Sequence, residues 1–481
     1  LSYTIFNDRP VLSRHARFEQ LGGQAVKLQR ALSMSLDLPD WDYDWMHLDG
    51  AWGRERHLQV SPLHQGSQSI YSLKGASSAE HNPFMALKRP TADEHQGEVL
   101  GFSLIYSGNF LGQVDVSSFG QTRVSMGIHP DRFTWLLEKG ESFQTPEVVL
   151  VYSDQGLNGM SQAFHDVYRE HLMRGFWGQR ERPVLLNNWE AMSFDFDEEQ
   201  ILTLARKAAS VGVELFVMDD GWFGDRNHER AGLGDWSVNL DKLPSGLTGI
   251  IDQVHGLGMK FGLWIEPEMV NKDSQLYRAH PDWILHHPKH SQSHGRYQYT
   301  LDFSREEVYQ NIYDQLYKLL SEHEIDYIKW DMNRYMTEVY SLGHPIERQG
   351  EIFHRYMLNL YRLYENLTSS FPHVLFESCS SGGGRFDPGL LYYAPQTRTS
   401  DNTDAIERLK IQYGTSVVYP LISMGCHVSE SPNQQVGRPT PLSTRGNVAF
   451  FGSFGYELDL SDCNPDELEE IKEQIAFYKQ Y

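Results

Sequence analysis

Hydrophobic and polar positions change their rhythm once along the chain. From the first residue to about Ser153, short runs rich in β-branched and aromatic residues dominate, among them Gly97 to Phe110, Thr122 to Ile128 and Glu147 to Ser153. Gly, Asn, Asp and Pro break these runs at intervals, as strands of a sandwich require. A helical stretch follows, roughly Met160 to Met173, and the sequence RERP (Arg180 to Pro183) marks a boundary. The expected division is a β-sandwich over 1–155, incomplete at its N-terminus, a helical linker over 156–182 and a second domain over 183–481. No low-complexity linker or solenoid repeat separates the halves, so they are expected to pack tightly.

After Pro183 strand-length apolar runs alternate with helical segments, and nearly every run ends in a polar or aromatic cluster. The eight runs end at Trp189, Trp222, Glu268, Phe303, Arg334, Ser381, Asn402 and, less distinctly, Glu430. Between them one helix is expected to start at Asp197, with Gln200 at the capping-box position; others are expected over Ser304 to Ser321 and Glu351 to Leu367. Eight strand–helix units predict a (β/α)8 TIM barrel, whose functional groups gather at the carboxyl ends of the strands. A doubly wound sheet would need a Gly-rich phosphate turn after its first strand, and VLLNNWEAM has none.

Charge narrows the function classes. The chain of 481 residues carries 42 Lys and Arg against 64 Asp and Glu, a net of −22. So acidic a surface repels nucleic-acid backbones and anionic lipid. No run of ~18 apolar residues is present to span a membrane. The first 15 residues lack the apolar core of a signal peptide, and the first is Leu, so a clipped piece of a longer, cytoplasmic chain is expected. Cys379, Cys426 and Cys463 suit a reducing compartment. His286, His287, His290 and His294 share a loop, but no HExxH pattern accompanies them, and a solvated loop is expected rather than a metal site.

If the barrel forms, one face collects Asp219, Asp220, Glu266, Glu268, Lys329, Asp331, Glu377 and Asp401, with Trp189, Trp222 and Trp264. Carboxylates accept hydroxyl hydrogen bonds and indole faces cover sugar rings, so a neutral polyhydroxylated ligand fits. A phosphorylated one would want more arginine. Glycoside hydrolysis uses two carboxyls. Asp331 is the nucleophile candidate, because Lys329 two residues earlier points to the same face and favours the ionised form. A purely structural Lys–Asp pair is the competing reading. Asp401 is the acid candidate; it could instead just start a turn. Of Asp219 and Asp220, one could cap a loop and the other pair with Arg226, and Trp264 could be core. The glycines of SSGGGR (Ser380 to Arg385) are expected to let backbone approach a ligand closely.

Several motifs, taken in order, resemble the α-galactosidases of glycoside hydrolase family 36. They are MDDGWFG (from Met218), FGLWIEPEMV (from Phe261), YIKWDMNR (from Tyr327), FESCSSGGGRFD (from Phe376) and SDNTDA (from Ser400), with SSAEHNPF and YSGNF in the β half. The resemblance implies a β-sandwich followed by a TIM barrel and retaining hydrolysis of terminal α-galactose from melibiose, raffinose and related sugars. It implies no metal or organic cofactor, and a homo-oligomer, tetrameric in many bacterial members. Asp331 would be the nucleophile and Asp401 the acid, then the base. Asp219 and Asp220 would bind the hydroxyls at C4 and C6, Lys329 the C3 region, and Cys379 with Gly382 would sit near C2. Trp264, Arg296 and Trp189 would line the pocket.

The chain departs from that pattern in two ways. Arg398 stands three residues before Asp401, where the family usually has Trp; an inward guanidinium would favour the charged form of Asp401 and weaken it as an acid. The resemblance also implies truncation, since such relatives have a longer N-terminal segment and a C-terminal β domain after the barrel. Two alternatives are a galactoside-binding protein with an impaired site, and a relative that transfers galactose or acts on N-acetylgalactosamine.

Overall fold

A computed structural model describes all residues from Leu1 to Tyr481. The N-terminal half forms two facing antiparallel sheets. The larger runs in the order Ser2–Ile5, Val11–His15, Val148–Ser153, Val99–Leu104, His81–Lys88, Asp44–Asp49, His57–Pro62. The smaller has Leu32–Leu38, Thr122–Ile128, Phe110–Val116 and Gly66–Tyr71. The expected run from Gly97 to Phe110 therefore divides, its first part in the large sheet and its end opening a strand of the small one. Alternation fixes the two faces of the large sheet. Met85 points towards the small sheet, near Gly112 and Met126. Its neighbour Phe84 faces the other way and meets Phe164 edge-on at 5.7 Å. Phe164 belongs to the helix Gly156–Val167, which ends in a wider turn, Tyr168–Leu172.

Eight parallel strands then close a barrel: Leu185–Asn187, Leu215–Met218, Lys260–Ile265, Tyr327–Trp330, Leu375–Ser378, Gln396–Arg398, Met424–Ser429 and Ser453–Glu457. One expected strand is wrong. The run ending at Phe303 is not in the barrel; Gln298–Thr300 folds back antiparallel on Met269–Asn271 as a small hairpin beside the third strand. The eighth strand is Ser453–Glu457, which pairs with the first and seals the ring. Glycine hid it, because Gly452 and Gly455 interrupt its apolar pattern. Closure demands that glycine: a Cβ on Gly455 would lie 2.9 Å from both Leu185 and His427. Asp197 caps its helix in a full capping box with Gln200, as the spacing predicts. The other two expected helices run over Glu306–Glu322 and Ile352–Ser370.

The halves share one continuous hydrophobic core. Their seam is also strongly polar. Asp387 on the barrel accepts hydrogen bonds from Ser77 (2.7 Å) and Ser107 (2.5 Å) of the sandwich. Asn82 donates to the Phe386 carbonyl and accepts from Tyr419, both at 2.8 Å. Loop 50–56, between two strands of the large sheet, reaches the barrel mouth; there Asn402 donates to the Gly53 carbonyl at 2.9 Å.

Candidate active site

A pocket of about 480 Å³ opens at the carboxyl ends of the barrel strands. Of the expected residues, Asp219, Asp220, Asp331, Asp401, Lys329, Trp264, Arg296 and Trp189 all line it.

Asp331 follows the fourth strand and lies buried under a dense set of neutral donors. Asn333 Nδ2 donates at 2.6 Å, Trp264 Nε1 at 3.3 Å and the Ser381 N–H at 3.3 Å. Burial alone would raise this carboxyl, but the Lys329 ammonium, Asn333 and the Cys379 thiol outweigh it and hold it below the usual carboxylate range. Behind it, Glu266 accepts from the Asn333 N–H and from Gln298 Nε2. Burial, then the charge of Asp331, pushes Glu266 up to about 8. At neutral pH this face therefore carries one ionised and one protonated carboxyl.

The adjacent pair Asp219 and Asp220 is split between two cations. Lys329 Nζ contacts Asp219 at 2.7 Å, and Asn187 Nδ2 shares the same oxygen at 2.6 Å. Asp220 takes a two-point contact from the buried Arg226, Nε at 2.9 Å and Nη2 at 2.8 Å. Pairing of one aspartate with Arg226, the structural alternative raised by the sequence, is thus real and coexists with pocket lining. Lys329 contacts Asp219 directly and acts on Asp331 through its field. Trp264 is only 2% exposed and stacks on Phe223 at 6.2 Å, so it is core and pocket wall together. Arg296 arrives on a loop whose residues 296 and 297 both hold left-handed backbone, φ 50° and 60°. Such unfavourable conformations persist only where surrounding contacts enforce them.

Asp401 follows the sixth strand and is the most open of the four, its side chain 27% exposed. Trp52 of the sandwich loop donates its indole N–H to Oδ2 at 3.1 Å, and Arg398 Nε meets Oδ1 at 3.1 Å. Arg398 does point inward, but a second carboxylate holds it: Glu457 lies 2.7 Å from Nη1. Burial would weaken the charge on Arg398, yet Glu457 and Asp401 together raise it well above its ordinary value. Glu190, beside Trp189, also faces the pocket; burial, then Glu457, pushes its carboxyl up to about 8.

Other expected residues stand back from the pocket. Cys379 is buried against Asp331 as a donor, and its thiol is raised by burial and then by that charge. Gly382 is pressed against the neighbouring strand end: a Cβ there would sit 2.3 Å from the Asp401 nitrogen. A Cβ on Gly383 would likewise sit 2.1 Å from the Thr399 carbonyl, so the glycine-rich turn packs tightly on the loop that carries Asp401. Trp222 is core, donating to the Trp264 carbonyl at 2.9 Å. Glu268 forms a wholly buried pair with Arg385 at 2.9 Å. Glu377 is tied to Gln396 at 2.7 Å below the mouth. The histidine loop brings His287 and His290 within 4.6 Å, ring to ring, with no carboxylate joining them in a chelating group. Conversely, Trp52, Glu190, Asn333, Ser381, Gln434 and Gln435 line the pocket without having been singled out. Asn333 could have been found, since it lies two residues beyond Asp331 in the same motif.

Comparison with known proteins agrees with this architecture. The glycosyl hydrolase family 36 N-terminal domain model matches residues 1–138 and the melibiase model residues 142–481. Alpha-galactosidase AgaA of Geobacillus stearothermophilus is 60% identical over 479 residues, covering 100% of this chain and 66% of AgaA. Alpha-galactosidase Mel36A of Lactobacillus acidophilus is 49% identical, with 100% and 65% covered. The AgaA crystal structure superposes with a TM-score of 0.99 over 99% of this chain and 67% of its own. Variants of AgaA have been solved in complex with raffinose and with stachyose. This chain spans slightly under two thirds of the curated relatives it matches. With both family models in sequence order across nearly its full length, the chain belongs to glycosyl hydrolase family 36.

Proposed function

We propose that the chain hydrolyses terminal non-reducing α-D-galactosyl residues from oligosaccharides such as melibiose and raffinose, with retention, by double displacement. The observation that carries this reading is the unequal treatment of the four pocket aspartates. Asp219 and Asp220 each pair with a dedicated cation, which supports a role for them as acceptors for sugar hydroxyls. Asp331 is ionised yet contacted only by neutral donors, so its charge remains available to an electrophilic carbon. The exposure of Asp401 at the open mouth supports its reading as the carboxyl that meets the leaving group. The raffinose and stachyose complexes of AgaA support the substrate class.

In the first step Asp331 attacks the anomeric carbon while Asp401, entering with its proton, gives it to the departing glycosidic oxygen. A covalent galactosyl ester forms. Asp401 then takes a proton from water, whose oxygen attacks the same carbon, and Asp331 leaves with its bonding pair. Two inversions give α-galactose. Trp264 and Trp189 supply indole walls, and Asp219 with Asp220 reads the C4 and C6 hydroxyls, the axial C4 group separating galactose from glucose. Lys329 serves the C3 region and Arg296 the rim, while Cys379 and Gly382 shape the C2 side from behind the wall.

The same reading puts the enzyme in the cytoplasm as a homo-oligomer, tetrameric by family resemblance. Three free cysteines suit a reducing compartment. No helix is long and apolar enough to cross a membrane. The test is release of p-nitrophenol from the α-galactoside beside the α-glucoside and the α-N-acetylgalactosaminide, with Asp331→Asn as control. Turnover of the galactoside alone, reduced on the order of 10⁴-fold or more in the control, is expected. Binding of galactose by a folded chain without turnover would overturn it.

A further inference from the structure

The sandwich carries a cluster of chelating side chains that the chemistry at the barrel mouth does not use. His47 and Asp49 lie two apart on one strand and so share a face. His81 opens the neighbouring strand. The regular pairing of those strands, Asp44 with Lys88 through His47 with Met85, would set Asp49 against residue 83. An irregularity after His47 shifts the register and sets it against His81 instead. Bulges of this kind re-aim side chains at particular places in a sheet. Its effect here is to put His47 Nδ1 at 2.7 Å and His81 Nδ1 at 2.9 Å from the same Asp49 oxygen.

We infer that His47, Asp49 and His81 form a binding site for a divalent transition-metal ion of the zinc class. One ligand atom from each residue lies within 4.8 Å of the other two, so modest side-chain movement reaches the ~2.0–2.2 Å bonds such an ion needs. Two imidazole nitrogens and one carboxylate are the donor set that zinc prefers, and they leave the fourth position to water. The side chains are 11%, 32% and 27% exposed for His47, Asp49 and His81, which gives the ion an entry path.

The position gives the site a consequence for the barrel. Asp49 is the last residue before loop 50–56, which carries Trp52 to Asp401 and Gly53 to Asn402. His81 directly follows the segment in which Ser77 holds Asp387 and the Ala79 N–H donates to Tyr335 at 3.1 Å. The two roots are joined by one backbone bond, Gly50 N–H to the Glu80 carbonyl at 2.9 Å. An ion held here ties together two of the loops by which the sandwich touches the barrel, without itself entering the reaction.

Calorimetric titration of the chelator-treated 481-residue chain with zinc chloride tests the site. One ion per chain is expected, bound more than about tenfold more weakly by Asp49→Asn and by His81→Gln. A His287→Gln/His290→Gln chain should bind as the parent does. Melting of each ion-free variant at the parent temperature verifies folding, with His47→Gln as the replacement for any that fails. Hydrogen exchange across residues 50–56 should slow several-fold with zinc in the parent and stay unchanged in His81→Gln. Absence of saturable binding, binding by Asp49→Asn and His81→Gln as tight as the parent's, or loss of binding in the His287/His290 variant would overturn the assignment. Zinc uptake with unaltered exchange in loop 50–56 would overturn the tie to the barrel mouth.

Discussion

The two carboxylates at the heart of the pocket are built in opposite ways. Asp331 takes most of its surroundings from its own strand and the next, Lys329, Asn333, Cys379 and Ser381 all coming from two short motifs, with Trp264 added from the preceding strand. Its environment is buried, and every direct hydrogen-bond partner is neutral. Asp401 is assembled from distant parts: Trp52 lies 349 residues away in the sandwich, and the guanidinium beside it is shared with Glu457 on the last strand. A nucleophile gains from a rigid, unchanging surrounding, whereas an acid–base group must alternate between two protonation states and stay open to water. The difference teaches that substitutions on the Asp331 side should act on the chemical step itself, and those on the Asp401 side on proton transfer and its pH dependence.

The sharpest way to break this contrast is Asp401→Ala. Turnover of melbiose-type substrates, whose leaving group needs a proton, should fall about 10²–10⁴-fold. The p-nitrophenyl galactoside, whose leaving group needs little help, should fall much less; equal losses in the two assays would contradict an acid role. Next in size is Arg398→Trp. Removing a guanidinium 3.1 Å from Asp401 takes a full charge away from the group assigned to proton transfer, so kcat should change several-fold and its pH profile should differ from the parent's. Superimposable profiles would show that Glu457 already cancels the charge. Trp52→Ala removes one hydrogen bond, worth about 0.5–1.5 kcal/mol, so a two- to tenfold loss of kcat/KM is expected. An unchanged value would place Trp52 outside the working site.

The smallest effect lies on the Asp331 side and concerns stability. Glu266 sits near 8 in the folded chain against an ordinary 4.5, so between those values the folded chain holds a proton the unfolded chain has released. That contribution is complete below about 4.5 and is lost as pH rises through 8. Glu266→Gln removes the titration, so the decline in denaturation midpoint from pH 5 to pH 8.5 should be shallower than in the parent. Parallel declines would deny that Glu266 is held protonated beneath Asp331.

The same contrast governs how far the site could be read from the residues alone. Seven barrel strands announce themselves as apolar runs ending in polar clusters, and the Asp331 motif carries its partners with it. The eighth strand is masked because barrel closure requires glycine at 455 where a strand pattern expects a side chain. The run through Tyr299 has the composition of a strand but pairs locally, since periodicity is blind to which partner a strand finds. Trp52, half exposed in a loop of the other domain, has no local signature at all; only the tertiary seam brings it to Asp401. Arg398 was legible as an inward charge, but Glu457, which shares it, lies on the strand that went unseen.

The most direct test of the central claim is to trap the covalent intermediate. The chain would be incubated with a fluorinated galactosyl fluoride, whose ester forms faster than water can release it, and the digested protein examined by mass spectrometry. One galactosyl adduct per chain on the peptide containing Asp331, absent from Asp331→Asn, is the predicted result. Steady turnover with no adduct, or an adduct on any other carboxylate, would contradict the account.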